Sequence, residues 1–182
     1  MESAQYTFKI IIIGPVAVGK SSLMRRFVDN KFSTDYQFTL GVDFMSKLVE
    51  YETGKYARLS IWDIGGQDRF QVFRRNFYEG TQGALVVFDL SREETFYKMH
   101  DWLSDLHQTI KEDVPIIILG NKKDIIIEIG NVIDRETVRN FIYNIGTNLL
   151  ETSAKTGENV KKAFVRLTQL MVQKILNSEI NV

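Results

Sequence analysis

The 182 residues carry 44% hydrophobic and 25% charged side chains, the proportions of a soluble globular protein with enough material for one substantial core. Lysine plus arginine equals aspartate plus glutamate at 23 each, so no net field points to nucleic acid and phosphate chemistry must come from a local site. There is no cysteine, which excludes disulfides, thiolate metal sites, a thiol nucleophile and a lipidated cysteine in this chain. No stretch approaches the roughly 20 apolar residues of a bilayer span. The expectation is a monomeric, cytoplasmic single domain over 1–182, with no nucleic-acid partner and no membrane anchor of its own.

Apolar residues alternate between two periods along the chain, as in an α/β domain. Thr7 to Ile13 is a β-branched run ending at Gly14, which predicts a buried central strand. Leu23, Met24, Phe27 and Val28 share one helical face between Lys20 and Val28. Val42 to Tyr51 and Tyr56 to Trp62 read as two strands of a hairpin joined at Glu52-Thr53-Gly54-Lys55. Ala84 to Leu90 is a further buried strand, and Ser91 with Glu94 suggests a capping box for a helix carrying Phe96, Met99, Trp102, Leu103, Leu106 and Ile110. Val114 to Leu119 is a strand again. Asp134 is placed to cap a helix closed by Gly146, Leu149 and Leu150 lie in a short strand, and a last helix carries Val160, Ala163, Phe164, Leu167, Leu170 and Met171. The expected fold is a three-layer α/β domain: a six-stranded mixed sheet with one antiparallel hairpin and about five helices.

Directly after the first strand stands Gly14-Pro15-Val16-Ala17-Val18-Gly19-Lys20-Ser21, which matches G-x-x-x-x-G-K-[ST] in the strand–loop–helix setting the motif requires. Backbone N–H groups of such a loop converge on a concavity, and the helix beginning at Lys20 adds partial positive charge. Lys20 supplies a cation to the β- and γ-phosphates, and the Ser21 hydroxyl can ligate Mg²⁺. Three weaker motifs follow in order, each at the C-terminal end of an expected strand: Asp63-Ile64-Gly65-Gly66, Asn121-Lys122-Lys123-Asp124 and Glu151-Thr152-Ser153-Ala154-Lys155. Each alone could be a solvated turn. Together they line the edge at which open α/β sheets bind ligands.

With these motifs, the chain from Thr7 to about Leu176 resembles the Ras superfamily of small GTPases. The resemblance implies that Asp124 accepts hydrogen bonds from guanine N1–H and the 2-amino group, which adenine does not offer in that geometry. It also implies that Asn121 braces the loops, that the stems of Lys122 and Lys155 flank the purine, and that the Ala154 N–H meets the 6-oxo group. Val16, Ala17, Val18, Gly19, Ser22 and Ser153 complete the implied GTP or GDP contacts. Leu40-Gly41-Val42-Asp43-Phe44, Arg58-Leu59-Ser60-Ile61-Trp62, Phe77-Tyr78-Glu79-Gly80-Thr81 and Val87-Phe88-Asp89-Leu90-Ser91 look most similar to Rab sequences. Phe44, Trp62 and Phe77 then match an exposed aromatic triad that meets effector proteins; ordinary core packing is the other reading.

By the same resemblance Thr39 would complete Mg²⁺ with Ser21 and Asp63, and Thr39 and Gly66 would touch the γ-phosphate and release with it. Phe32 would pack edge-on to guanine and Tyr36 would fold over the phosphates, though either could equally anchor a loop. Gln67 would orient the attacking water, with a plain surface glutamine as its alternative; hydrolysis in this class is slow without an arginine finger, of order 10⁻⁴ s⁻¹. An exchange factor and a GTPase-activating protein are implied partners.

Several residues depart from the family pattern. Val16 stands where glycine or serine is usual and can crowd Gln67, while Pro15 stiffens the loop. Gly65 replaces an alanine and should loosen the segment after Asp63. Ile125, Ile126, Ile127 and Ile129 follow the N-K-x-D motif, either packing beneath the next helix or forming a partner surface. The sequence ends soon after the last helix without the prenylated tail typical of Rabs, which leaves a trimmed tail or an unlipidated protein. The leading expectation is a Rab-like regulatory GTPase in membrane trafficking. Its rivals are a nucleotide-dependent binding module that scarcely hydrolyses GTP and an ATP-using P-loop enzyme, which Asp124 argues against.

Overall fold

The computed structural model describes residues 3–34, 39–67 and 71–180. Strand β1 (Ala4–Ile13) runs through the middle of the sheet because four isoleucines in succession leave it no solvent-facing side: Ile10 and Ile12 enter one core, Ile11 and Ile13 the other. Helix α1 (Lys20–Asp29) follows, burying Leu23, Met24 and Phe27 and stopping at Asn30, whose left-handed backbone donates its N–H to the carbonyls of Arg25 and Arg26. Strands β2 (Val42–Glu52) and β3 (Lys55–Ile64) form the expected hairpin, with Glu52 opposite Lys55 across the turn. Next come α2 (Gln71–Tyr78), β4 (Gly83–Asp89), α3 (Glu93–Thr109) and β5 (Ile116–Asn121). The remainder is α4 (Lys123–Ile129), α5 (Arg135–Asn144), β6 (Asn148–Glu151) and α6 (Val160–Ile180).

The sheet order is β2-β3-β1-β4-β5-β6, antiparallel only between β2 and β3. Helices α1 and α6 cover one face, where Phe27 and Phe164 stack at 3.8 Å, and α3 covers the other with Phe96, Met99, Trp102 and Leu106. Five parallel strands end at the same edge. The loops that follow Ile13, Ile64, Asp89, Asn121 and Glu151 therefore gather there, and all the sequence motifs with them.

Six helices are present among the described residues. Two were not placed from the sequence, α2 and α4, the latter a short helix that begins inside the N-K-x-D motif itself. Of its isoleucines, Ile126 is buried against the α3 face, Ile127 and Ile129 stand 72% and 61% exposed, and Ile125 turns to the cavity described below. The capping box at Ser91 does not form. The buried Asp89 carboxylate takes both the N–H and the hydroxyl of Ser91, and α3 starts at Glu93 with no side-chain cap. Asp134 does cap α5, accepting from the Thr137 N–H at 2.7 Å. Among the described residues no helix is long and apolar enough to cross a membrane.

Helix α2 is tied to α3 by a buried charge pair. Arg74 donates to Asp105 at 2.9 Å, both side chains are 3% exposed, and the guanidinium lies 3.8 Å from the centre of the Trp102 ring. Arg75 donates to the second oxygen of Asp105 at 2.7 Å. Removing the carboxylate strands a buried cation. Asp105→Ala is expected to cost about 3–5 kcal/mol, measured by urea unfolding at one fixed ligand concentration, and Asp105→Asn less, because its amide oxygen still accepts from Arg74.

Candidate functional site

A cavity of about 960 Å³ opens at the strand ends. It brings together Val16, Ala17, Gly19, Lys20, Ser21, Ser22, Phe32, Thr39, Gly66, Gln67, Asn121, Lys122, Asp124, Ala154 and Lys155, which come from five separate loops. Val18, Asp63 and Ser153 are buried behind its wall. Tyr36 lies outside the described residues. Arg25, Arg26, Asn30, Lys31, Ser33, Thr34 and Ile125 also line the cavity; no motif marks them, because they reach it only through the packing of α1 and α4 against the loops.

At one end the chain leaves β1 in a tight loop. Gly19 has φ +97°, and a Cβ there would lie 2.3 Å from the Asn121 side-chain nitrogen, so both conformation and space demand glycine. Lys20 is buried and its Nζ donates to the carbonyls of Gly14 at 2.8 Å and Pro15 at 2.9 Å. Burial pushes its pKa from 10.5 down to about 8, the Asp63 carboxylate pulls it partly back, and Arg74 lowers it again.

Below Lys20, three oxygens converge. The Ser21 hydroxyl donates to Asp63 Oδ2, lies 2.8 Å from the Thr39 hydroxyl, and Thr39 donates to the same carboxylate oxygen at 3.2 Å. The other oxygen, Asp63 Oδ1, is buried without a hydrogen-bond partner. Burial pushes the Asp63 carboxyl above its ordinary value, against Lys20 and the two hydroxyls, which favour its charge. Hard oxygen donors around an orphaned carboxylate oxygen are the donor set that suits Mg²⁺. Thr39 reaches this cluster because Gly65 allows close approach. A Cβ at Gly65 would sit 2.8 Å from the Thr39 carbonyl, and the Gly65 N–H donates to the Gly41 carbonyl at 2.8 Å. Close packing against 39–41, rather than looseness, is what this glycine provides.

At the other end, Asn121 joins three segments. Its Nδ2 donates to the Val18 carbonyl at 2.8 Å, and its Oδ1 accepts from the Thr152 hydroxyl and the Ala154 N–H, both at 3.2 Å. The Ala154 N–H therefore already has a protein acceptor, at a distance that allows sharing with a second one. Ser153 acts from behind the wall: its hydroxyl donates to Asp124 Oδ1 at 2.6 Å and fixes that carboxylate. Lys122 holds a left-handed backbone at φ +65° and sends its Nζ to the buried Asp89 at 2.7 Å. Burial opposes the Asp89 charge, but Lys122 and Ser91 hold its carboxyl below the usual carboxylate range. Arg92 donates to the same carboxylate at 2.9 Å and to the Val16 carbonyl at 3.2 Å, linking the lysine of one loop to the backbone of another.

On the flank of the sheet, Phe44, Trp62 and Phe77 form one continuous aromatic strip, with ring centres 5.6 Å and 6.3 Å apart. Phe44 is 53% exposed, while Trp62 and Phe77 are half-buried and also pack against the α3 core.

Residues 9–173 match the sequence profile of the Ras family. Over 184 residues the chain is 38% identical to Ras-related protein Rab-4A of Homo sapiens, spanning 99% of this chain and 81% of that protein. Ras-related protein Rab-4B of Rattus norvegicus is 38% identical over 180 residues, covering 99% and 83%. Ras-related protein Rab-4A of Danio rerio is 36% identical over 184 residues, again covering 99% and 83%.

The cavity's one buried, depressed lysine sets a pH limit on anion binding. The free protein should lose the Lys20 charge as pH rises through about 8, where an ordinary lysine keeps its proton to about 10.5. Affinity for a nucleoside diphosphate is therefore expected to fall about tenfold between pH 7 and 9 by calorimetry, and Lys20→Gln should show weak binding with no such step.

Proposed function

Because the chain belongs to the Ras family, as a Rab-like small GTPase, we propose that it holds GTP or GDP in the 960 Å³ cavity and switches effector binding as GTP is hydrolysed. The observation that carries this reading is the joining of the phosphate loop to the loop after β6 through the single Asn121 amide, while Ser153 of that second loop holds Asp124. A purine between the stems of Lys122 and Lys155 then presents its N1 edge to Asp124, already oriented by Ser153. The phosphates lie in the loop from Val16 to Ser22 over Lys20, with Phe32 against the base.

Ser21, Thr39 and Asp63 would hold Mg²⁺, which when bound offsets phosphate charge. The buried, partnerless Oδ1 of Asp63 supports that assignment. The protein's own residues do the rest. Gln67 orients water beside the terminal phosphate, and Gly66 offers its N–H to it. Loss of that phosphate frees the segments around Thr39 and Gly66, which hold each other through the Gly65–Gly41 bond. The Phe44–Trp62–Phe77 strip adjoins both segments and serves as the effector surface. Exchange and activating proteins act on the same loops, and membrane trafficking is the setting the Rab-like sequence suggests. The whole of 1–182 acts as one such domain.

A second reading, a binding module that scarcely hydrolyses GTP, is favoured by Val16. Its backbone nitrogen would lie 2.7 Å from a Cβ at Gly66, and its side chain shares the cavity wall with Gln67. Releasing the copurified nucleotide and following single-turnover GTP hydrolysis separates the two readings. A switch predicts bound guanine nucleotide and a slow rate that drops at least tenfold in Gln67→Leu; an equal rate in both proteins favours the binding module. Val16→Gly should raise the rate several-fold, and an unchanged rate would remove Val16 from the account. Asp63→Ala should abolish the slowing of nucleotide release by Mg²⁺, measured by displacement of a fluorescent GDP analogue with and without chelator.

A further inference from the structure

Arg26 belongs to no motif. It stands on the last turn of α1, yet it spends four of its five N–H donors on the backbone and amide groups at the purine end of the cavity. Its Nε donates to the Ala154 carbonyl at 2.8 Å and its Nη2 to the Lys155 carbonyl at 2.6 Å. Nη1 donates to the carbonyl and the side-chain oxygen of Asn30, both at 3.2 Å. The guanidinium carbon lies 6.0 Å from the centre of the Phe32 ring, and its stem passes next to Gly157.

We propose that Arg26 is a positioning residue that sets the 6-oxo side of the purine site and thereby the rate of nucleotide release. The inference rests on the reading of this end as the guanine site. Each peptide unit is planar. Fixing the carbonyls of Ala154 and Lys155 fixes two successive peptide planes, one on each side of the Lys155 Cα. The Lys155 N–H then points away from Arg26, the Lys155 stem leaves the loop in one direction, and Ala154, whose own N–H is the 6-oxo donor, is anchored through its carbonyl. Other bonds hold Thr152, Ser153 and Gly157, but the carbonyls of Ala154 and Lys155, at the tip of the loop, are taken by Arg26. Residues 152–159 form no regular structure, and Lys155 is exposed. Asn121 holds the Ala154 N–H only at 3.2 Å, whereas Arg26 holds the following carbonyl at 2.8 Å.

The same guanidinium also reaches Asn30, the residue that ends α1 and opens the segment leading to Phe32. One side chain therefore fastens the loop on one side of the base to the root of the segment on the other, across 128 residues of sequence. Lysine cannot replace it, because a single ammonium does not span two carbonyls and an amide as a planar fork does.

The test uses the full chain loaded with GDP, 6-thio-GDP or IDP. The thio analogue keeps N1–H and the 2-amino group but weakens the acceptor at position 6, whereas IDP lacks the 2-amino group read by Asp124. Release of each is followed by chase with excess unlabelled GDP, in wild type, Arg26→Gln and Arg26→Lys. GDP release is expected to quicken at least tenfold in both variants, and the preference for GDP over 6-thio-GDP should collapse toward one. The preference for GDP over IDP should stay within twofold of wild type. Arg26→Lys, which keeps the charge and the stem, supplies the answer where the glutamine variant folds poorly. Release at the wild-type rate would overturn the proposal, as would an equal loss of all three nucleotides with both preferences kept, since that marks a merely structural role. Failure of the wild type itself to bind GDP would instead bring down the guanine reading on which the proposal stands.

Discussion

Asn121 ends β5 with its side chain almost wholly buried, and its amide must find partners there or cost about 1–3 kcal/mol. It finds them in two stretches of chain far apart in sequence: the Val18 carbonyl of the loop after β1, and the Thr152 hydroxyl and Ala154 N–H of the loop after β6. Because the donor and acceptor ends of one rigid amide are both committed, these loops cannot move independently. The Val18 end and the Ala154 end of the cavity are thereby tied to each other through one amide. Gly19 completes the constraint, since any side chain at that position would occupy the space of the amide nitrogen.

What makes the amide's position possible is the sheet beneath it. β1, β4 and β5 are buried on both faces, so their registers are set by side chains alternating between two cores. Ile12 beside Asp63 and Asp89 beside Asn121 are consequences of those registers. Asp63, Asp89 and Asn121 therefore stand in the last one or two positions of strands held in fixed register.

The charges at the site are held in unfavourable surroundings. Lys20 is buried on P-loop carbonyls with its pKa depressed, and Asp63 is buried with one oxygen unpaired. Both costs are relieved by a ligand that brings negative charge to the lysine and a cation to the carboxylate. The interior thus favours the loaded state without any large net charge on the protein, in agreement with the balance of 23 acidic and 23 basic residues.

Fold class and the place of each motif at a strand's C-terminal end were legible in the sequence, because a G-x-x-x-x-G-K-S loop, an N-K-x-D stretch and a buried β-branched strand are local in the chain and carry their physical reasons with them. The sequence by itself did not determine α4, whose start depends on Lys122 adopting a left-handed backbone with its Nζ pulled to Asp89. Nor did it reveal that Ser91 serves Asp89 instead of capping α3, or that Gly65 is there for close approach. Arg26, with a partner 128 residues away, was beyond any local pattern, and the motif that marked Ser153 did not show its hydroxyl reaching Asp124, 29 residues away. These features were decided by the tertiary structure, because each depends on polar groups or backbone that only the folded chain brings within about 3 Å of one another.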